Sequence, residues 1–592
     1  MDLVALQFPE FSDACAVFLL EKGIVDSARE DLHVDDGTTH PGWDPQGGIL
    51  HVLGFLAEDG REQLLLGGEL RLALGRDLAD EDIASADLGA DALGQARAEH
   101  DLSRVLRIDS RQQKAPLGDT RRQGREAHLA QRIDAKGMIV APGFIDAHTH
   151  ADGFLRSSDA AERVNPAWLD QGVSTVVIGV DGYGTPDVGD DAAKIQASGV
   201  GTNFIPFVGF GAVRQRVLGQ DARAPNAQEL GAMKSLVAKG MCEGATGFSA
   251  GLFYAPQSFA KTDEVIAVAR EAAIRGGLYD THQRDESSYS IGLLGSVREA
   301  IEIGKQAGMP VHFAHLKALG VDVQGEAPAV IAEIDAARKA GQDVTADQYP
   351  WVASGSSLDA SLLPRWAVDG GAEALLARFA DPATKARIRT EMDENLRRRG
   401  GAASLLLTAP GRVWTGRTLE EQAQAEGIDP VEAAIRIIAQ VASEGGRGAE
   451  VASFNMAQDD VEALMRQPWV VTASDGSLGH PRMFATYPEK YRTYVVERGT
   501  IDLARFIRQS TGQVADIYKV EERGYLKPGY FADVLVLDPE RYAPRATYLS
   551  PRELSEGVTA LFVNGRLAVD NGAVTGEAAG RVLLRSRPAQ CP

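Results

Sequence analysis

Eight short runs of β-branched and aromatic residues recur between residues 143 and 476, and segments with helical periodicity separate them. Strands that alternate with amphipathic helices are typical of parallel βα units, because each helix covers one face of the sheet. The sequence therefore predicts an α/β protein built on a (β/α)8 TIM-type barrel. The runs are GFIDAHTH (143–150), VSTVVIGVDG (173–182), TNFIPFVGF (202–210), GATGFSAG (244–251), GLYDTHQ (277–283), PVHFAHLK (310–317), QDVTADQYP (342–350) and PWVVTASDG (468–476).

Polar residues stand near the carboxyl ends of these runs, where such a barrel places its active site. His148 and His150 are two apart on the first run, so both side chains are expected to face one side. His282, His315 and Asp475 stand near the ends of the fifth, sixth and eighth runs. Together they predict a hydrolytic site for one or two metal ions, with zinc the usual occupant. Taken alone, the two histidines could equally be hydrogen-bonded polar residues, and Asp475 could cap a turn.

The composition of the chain limits the classes of partner that it is expected to bind. The 592 residues carry a formal net charge of -22, which disfavours binding to nucleic acid or to an anionic membrane surface. A small-molecule substrate is expected instead. No apolar run reaches about 18 residues and no signal peptide is evident, so the protein is predicted to be cytoplasmic and not to span a membrane. The three cysteines, Cys15, Cys242 and Cys591, lack C-x-x-C spacing, which predicts neither a disulfide framework nor a cysteine-rich zinc module and favours a reducing compartment.

Changes in composition and periodicity along the sequence divide the chain into three regions. Residues 1–131 are rich in Arg, Ala and Asp with weak periodicity, and are predicted to be an atypical N-terminal segment, poorly ordered or not native. Residues 132–500 contain the barrel with a helical insertion at about 366–450, which is either a lid or a solvated appendage. Residues 501–592 are expected to form a helix and a small β domain of β-sandwich type, since their strand runs are joined by Pro-Gly and Asn-Gly turns.

Six motifs in order carry a family resemblance: PGFIDAHTHAD, GATGFSAGLFYAP, YDTHQRDES, HFAHLKA, TADQYP and SDGSLGHPR. From about residue 133 to 539 the chain resembles the D-aminoacylase (N-acyl-D-amino-acid deacylase) branch of the amidohydrolase superfamily. The resemblance implies one metal subsite at His148, His150 and Asp475. It also implies a tighter subsite that includes His282 and His315.

Two positions depart from that branch. Its members typically carry a cysteine ligand in a GNCG-like turn after the second strand, and this chain has Gly179-Val180-Asp181-Gly182 there. Asp181 is therefore predicted to be a bridging or tight-site ligand. A carboxylate is harder than a thiolate, which could admit manganese or cobalt beside zinc. Phe210 stands where relatives often have a histidine, and Cys242 is expected in a turn or in the core.

The substrate implied by the resemblance is an N-acyl amino acid, whose carboxylate needs cations and donors. Lys317 is well placed for this role, two residues after His315 and on the same strand face, and Arg482 and Tyr349 are similar to family residues that hold this group. For Lys317 the alternative is an ion pair with a nearby acid. Arg284 is a reserve candidate that could equally pair with an acid for structural reasons.

The implied reaction is hydrolysis of the amide bond of an N-acyl-D-amino acid to a carboxylate and a free D-amino acid. Asp475 is predicted to be the catalytic residue, accepting a proton from metal-activated water and returning it to the leaving nitrogen. Two alternatives stay open at this stage. One is a dipeptidase or cyclic-amide hydrolase of the same superfamily, and the other is a non-catalytic homologue that Asp181 has deprived of metal.

Overall fold

The protein is described by a computed structural model over residues 131–446 and 448–591, together with the backbone of four short strands before them. Those strands are Val17–Phe18, Val52–Glu58, Arg61–Leu66 and Val105–Ile108. The predicted atypical character of residues 1–131 otherwise lies outside the described residues.

Each of the eight predicted runs contains an observed strand. The strands, numbered first to eighth below, are Phe144–Asp146, Val173–Ile178, Asn203–Pro206 continued by Val208–Gly209, Gly247–Gly251, Leu278–His282, Val311–Phe313, Val344–Gln348 and Val470–Thr472. Consecutive strands pair in parallel, within one three-stranded and one six-stranded sheet.

The last strand returns beside the first. A parallel bridge links Thr149 with Gly476. The backbone amide of Asp475 donates to the carbonyl of His148 at 2.9 Å, and that of His150 donates to the carbonyl of Gly476 at 3.2 Å. This arrangement is a TIM-barrel-type α/β fold, and it brings the carboxyl ends of the first and eighth strands together.

Helices cover the outside of these strands. In Leu293–Ala307 the buried residues include Leu293, Val297, Ala300 and Ile303, spaced three or four apart as an inward-facing helical stripe requires. The helices of this layer are Asp152–Leu155, Ala160–Arg163, Pro166–Leu169, Val188–Ser198, Phe210–Leu218, Ala227–Cys242, Gln257–Phe259, Thr262–Ala273, Leu293–Ala307, Ala327–Lys339, Gln458–Met465, Arg482–Glu489, Lys490–Glu497, Leu503–Gln509 and Gly512–Tyr518.

An insertion separates the seventh and eighth strands and has its own apolar core, which includes Leu362, Ile388 and Ile438. Its helices are Leu358–Leu362, Arg365–Val368, Gly371–Ala380, Pro382–Arg398, Ala402–Ser404, Leu419–Glu426 and Pro430–Ser443. The expectation of a purely helical insertion is incomplete. Ala353–Ser357, Leu405–Leu407 and Glu450–Phe454 form a three-stranded antiparallel sheet, in which each strand is too short for a clear alternation of polar and apolar residues.

A second sheet packs beside the barrel. It is antiparallel and combines Ile139–Pro142 with the late strands Val534–Leu537, Val558–Val563, Arg566–Asp570 and Ala573–Val574. The early strands Val17–Phe18, Val52–Glu58 and Arg61–Leu66 continue it on the side of Ile139–Pro142, and Val105–Ile108 pairs separately with Gln131–Asp134. Both ends of the chain therefore contribute strands to this region.

The structure contains a disulfide bond, which the spacing of the cysteines did not predict. Cys242, the last residue of Ala227–Cys242, is bonded to Cys591 across a sequence separation of 349 residues. It ties the C-terminal segment to the barrel, where the amide of Leu583 also donates to the carbonyl of Phe204. Such a distant pair leaves no local spacing signal in the sequence. Because disulfides persist mainly in oxidising compartments, this pair removes the basis on which the cysteine spacing favoured a reducing compartment.

We expect reduction of this disulfide to lower the thermal stability of the protein. Cross-links over long loops stabilise folded proteins by about 2–4 kcal/mol. Thiol titration of the denatured, unreduced protein should find one reactive thiol from the three cysteines, and calorimetry should show a lower Tm after reduction. The variant Cys242→Ser/Cys591→Ser is the control and should not respond to reductant. Three reactive thiols before reduction would contradict the pairing.

Within the described residues, none of the helices combines the length and the apolar character needed to cross a bilayer.

Candidate metal centre

Six predicted ligands meet at the carboxyl ends of the strands. The ligand atoms of His148, His150 and Asp475 lie within 4.8 Å of one another, as do those of His148, Asp181 and His315. His282 joins them, because its Nδ1 atom lies 2.9 Å from Nε2 of His315. All of these side chains are buried except that of His150, which is 29% exposed. The structure therefore assembles four imidazoles and two carboxylates into one cluster.

Asp181 faces all four imidazoles. Its Oδ1 atom lies 3.4 Å from Nε2 of His148, 3.7 Å from Nε2 of His315 and 3.8 Å from Nδ1 of His282. Its Oδ2 atom lies 3.6 Å from Nε2 of His150. Asp181 therefore lies between the imidazoles of the two predicted subsites, where it could contribute to either of them.

Three of the six residues have left-handed backbone conformations. The φ angles are 52° at Asp181, 35° at His315 and 48° at Asp475. Such conformations are unfavourable for residues with a Cβ atom and persist only where the surrounding structure enforces them. Gln257 holds the first by donating to the Asp181 carbonyl at 2.8 Å, and Asp347 holds the second by accepting the His315 amide at 2.7 Å. Each of these three residues follows the end of its strand, where the backbone turns and the side chain faces the cluster.

Arg482 fixes the second carboxylate. Its Nη1 atom lies 2.7 Å from Oδ2 of Asp475, whereas Oδ1 of Asp475 lies 3.1 Å from Nε2 of His150. Arg482 is itself held by its Nη2 atom, which donates to Ser477 and to the carbonyl of Gly355. One oxygen of Asp475 is thus occupied by a guanidinium while the other points into the cluster.

Cationic neighbours hold the carboxylates of the cluster in the ionised form. Burial alone would raise the pKa of Asp475, but Arg482 and the nearby imidazoles outweigh it and hold that pKa well below its usual range. The pKa of Asp181 is depressed in the same way, chiefly by His148. Burial lowers the pKa of His148, yet the Asp181 charge more than compensates and raises it to about 10. Two ionised carboxylates therefore share a buried site.

Several ligand atoms have no hydrogen-bond partner in the described part of the chain. They are both ring nitrogens of His148, Oδ1 of Asp181 and Nε2 of His282. Buried polar atoms are nearly always paired in folded proteins, so a group of unpaired atoms within one cluster indicates a missing partner. Imidazole and carboxylate donors suit zinc, manganese or cobalt. The residues present fit a metal centre.

Comparison with known proteins agrees with this geometry. The model of the Amidohydrolase family matches residues 131–569. The chain belongs to the amidohydrolase family. It is 30% identical to a D-aminoacylase of Alcaligenes xylosoxydans xylosoxydans over 78% of this chain and 90% of the relative. It is 31% identical to an N-acyl-D-aspartate deacylase of the same organism, over 76% and 86%.

A solved structure extends the comparison. An N-acyl-D-glutamate deacylase from Bordetella bronchiseptica, complexed with zinc and a phosphonate inhibitor, matches with a TM-score of 0.64 and 28% identity. The match covers 76% of this chain and 90% of that one. The predicted resemblance to the D-aminoacylase branch of the amidohydrolase family is confirmed.

In this amidohydrolase, the residues predicted to bind the substrate carboxylate lie next to one another. Arg482 and Lys317 both approach the ring of Tyr349, at 5.0 Å and 5.5 Å from its centroid. The Tyr349 hydroxyl is buried and has no hydrogen-bond partner among the described residues. Lys317 donates to Glu286 at 2.6 Å and also lies 2.6 Å from Nδ1 of His315. The ion-pair alternative considered for Lys317 is therefore present in the structure.

Arg284 and Phe210 lie apart from the cluster. The Arg284 guanidinium binds Glu299 at 2.8 Å and 3.0 Å and donates to the carbonyl of Ser258, which favours its structural alternative. Phe210 is fully buried at the start of Phe210–Leu218, with its ring 5.8 Å from that of Phe248. It packs in the barrel wall in place of a polar contact.

Sequence reasoning missed Glu286 as a member of the site. One oxygen lies 3.3 Å from Nδ1 of His315, and the other lies 3.8 Å from Nε2 of His282. Burial would raise the pKa of Glu286, but Lys317 and the two imidazoles hold it well below its usual range. Its position four residues after His282 was the available signal. Glu286 orients the two imidazoles from the side opposite Asp181.

Proposed function

We propose that this chain is a metal-dependent hydrolase that cleaves the amide bond of N-acyl-D-amino acids, releasing a carboxylate and a free D-amino acid. The observation that carries the proposal is the convergence of four imidazoles and two carboxylates, several with unpaired buried ligand atoms. The N-acyl bond and the D configuration of the substrate are inferred from the relatives named above. We infer further that the eight parallel strands form one closed barrel around this site.

The cluster divides into two overlapping ligand sets. His148, His150 and Asp475 form one, and His282 and His315 belong to the other, with Asp181 facing both. A divalent ion held by these residues would lower the pKa of water and polarise the amide carbonyl. Zinc is the expected occupant, and the absence of a thiolate among these six donors leaves manganese and cobalt as competitors.

Asp475 acts as general base and then as general acid. Its Oδ1 atom faces the cluster, 3.1 Å from Nε2 of His150, while Arg482 holds Oδ2, so Oδ1 is the oxygen that can take up a proton inside the cluster. Because the carboxylate is ionised, it accepts the proton of that water during attack on the carbonyl carbon. It returns the proton to the amide nitrogen as the C–N bond breaks. One residue therefore serves both halves of the reaction.

Arg482, Tyr349 and Lys317 bind the α-carboxylate of the substrate. The unpaired Tyr349 hydroxyl offers a donor, and two cations flank its ring. Both cations also pair with a carboxylate, Lys317 with Glu286 and Arg482 with Asp475. We assign Arg284 a structural role, because Glu299 occupies it.

A substrate panel tests the proposal. The metal-loaded protein is assayed with N-acetyl-D-amino acids, dipeptides and hydantoins at equal concentrations. We expect hydrolysis of the first group. Preference for dipeptides or hydantoins would replace this function with a neighbouring one, and failure to retain stoichiometric metal would support the non-catalytic alternative.

A further inference from the structure

A buried carboxylate beside the cluster is not used by the function proposed above. Asp280 lies on the fifth strand, two residues before His282, so both side chains leave the strand on the same side. It is 0% exposed, and neither of its carboxylate oxygens has a hydrogen-bond partner among the described residues. Because a buried carboxylate without hydrogen bonds is unfavourable, Asp280 calls for a partner that the metal-free structure does not supply.

His148 presents the complementary case. Its Nε2 atom lies 3.4 Å from Oδ1 of Asp181 and 4.0 Å from Oδ1 of Asp475, so this nitrogen faces the cluster. A neutral imidazole that binds a metal ion through one nitrogen carries its proton on the other. Nδ1 of His148 is buried and has no hydrogen-bond partner in the described part of the chain. An Nε2 atom that holds a metal ion therefore leaves Nδ1 as a donor in need of an acceptor.

Two carboxylates lie close enough to be that acceptor. One ligand atom each of His148, Asp280 and Asp347 lies within 4.8 Å of the other two. Asp347 is already engaged, because its Oδ1 atom accepts the backbone amide of His315 at 2.7 Å and its Oδ2 atom lies 3.1 Å from Nε2 of His312. Of these two carboxylates, Asp280 is the one with both oxygens unpaired.

The nearby imidazole of His312 does not compete for Asp280. The two residues are paired in register on the fifth and sixth strands. Nδ1 of His312 lies 2.8 Å from Oγ1 of Thr345, and its Nε2 faces Asp347, so both ring nitrogens are engaged. The unpaired nitrogen of His148 is thus the donor that matches the unpaired oxygens of Asp280.

We propose that Asp280 is a positioning residue that accepts a hydrogen bond from Nδ1 of His148 and thereby fixes the tautomer and orientation in which Nε2 faces the metal. This inference rests on the metal centre of the function proposed above. The aspartate side chain can rotate to shorten the separation, since its terminal torsion is broad and no other group holds its oxygens. A carboxylate in this position also makes the imidazole a stronger ligand.

The test measures the zinc affinity of the full chain by competition with a chromophoric chelator, for wild type, Asp280→Leu and Asp280→Asn. Leucine is similar in size to aspartate but cannot accept a hydrogen bond. Loss of the group that orients a metal-binding histidine typically weakens metal binding about 10- to 100-fold, and we expect this loss for Asp280→Leu. Asp280→Asn should lose less, because its side-chain oxygen can still accept from Nδ1.

Thermal melting of the metal-free variants separates a positioning role from a structural one. Since the Asp280 carboxylate is buried without hydrogen bonds in the metal-free protein, Asp280→Leu should have a Tm equal to that of wild type or higher. The expected combination is weaker zinc binding with undiminished stability. A carboxylate that only supported the fold would give a lower Tm and an unchanged zinc affinity.

Asp170→Asn is the matched control. Asp170 is also a buried carboxylate with one unpaired oxygen, but it accepts a backbone hydrogen bond from Ser555 and is not one of the cluster residues. Its variant should bind zinc as tightly as wild type. The comparison of Asp280→Asn with Asp170→Asn decides the question even if Asp280→Leu fails to fold.

Two results overturn the inference. One is a wild-type zinc affinity in Asp280→Leu, and the other is an equal loss of affinity in Asp280→Asn and Asp170→Asn. A wild-type protein that binds zinc but hydrolyses no N-acyl-D-amino acid would reject the proposed function, while the zinc affinities would still decide the role of Asp280. A wild-type protein that binds no zinc, manganese or cobalt would reject both.

Discussion

Replacing Asp475 with Asn is expected to lower kcat by about 10²- to 10⁴-fold, the range typical of losing a general base or acid. The amide that replaces the carboxylate has similar size but cannot accept the proton of the attacking water. Folding should be retained, since the backbone amide of residue 475 still donates to the carbonyl of His148. Steady-state kinetics with a saturating N-acetyl-D-amino acid, together with metal analysis of the variant, measures the effect.

Asp460→Asn is the control for this substitution. Asp460 is also a buried carboxylate, but it accepts the backbone amides of Gly325 and Ala327 and is not one of the cluster ligands. Its variant tests how far the loss of any buried carboxylate disturbs the barrel, and it should retain most of the activity. An Asp475→Asn protein that keeps more than a tenth of the wild-type kcat would reject the assignment.

Removal of bound metal by a chelator is expected to lower hydrolysis by at least about 100-fold, because a metal ion typically supplies several kcal/mol of transition-state stabilisation. Zinc, manganese or cobalt added back should restore it, since the ligand atoms are positioned by their own strands. The measurement is activity against metal content determined by elemental analysis. Undiminished activity in protein shown to be metal-free would contradict the account.

The variant Asp181→Cys tests whether residue 181 binds the metal. The substitution restores the thiolate typical of the D-aminoacylase branch and makes the donor softer, so zinc should be retained more strongly relative to manganese. An unchanged ratio of zinc to manganese retained would mean that Asp181 does not bind the metal, despite lying within 4 Å of four imidazoles.

The barrel strands were predictable because parallel strands buried on both faces leave continuous apolar runs. All eight predicted runs contain a strand, but seven of the observed strands end before the carboxyl end of the predicted run. At His315, for example, the strand ends at Phe313 and the backbone turns to a φ of 35°. Several residues of the cluster lie just beyond the end of the regular strand. The periodicity of the sequence does not show where the strand ends.

The residues of the cluster were predictable from the sequence because each stands near a strand end with a chemically informative side chain. Glu286 was not predicted as a member of the site, because its approach to His282 and His315 depends on tertiary packing. The bond between Cys242 and Cys591 escaped for the same reason, since it joins residues 349 positions apart.

The central claim is a metal-dependent, D-specific amide hydrolase, and one titration tests it most directly. Metal-free protein is titrated with zinc while the release of free amino acid is followed from the N-acetyl-D-amino acid that the substrate panel finds most active and from its L enantiomer. We predict that hydrolysis of the D enantiomer rises with bound zinc and that the L enantiomer stays intact. Hydrolysis of neither enantiomer at full metal occupancy, or equal hydrolysis of both, would contradict the account.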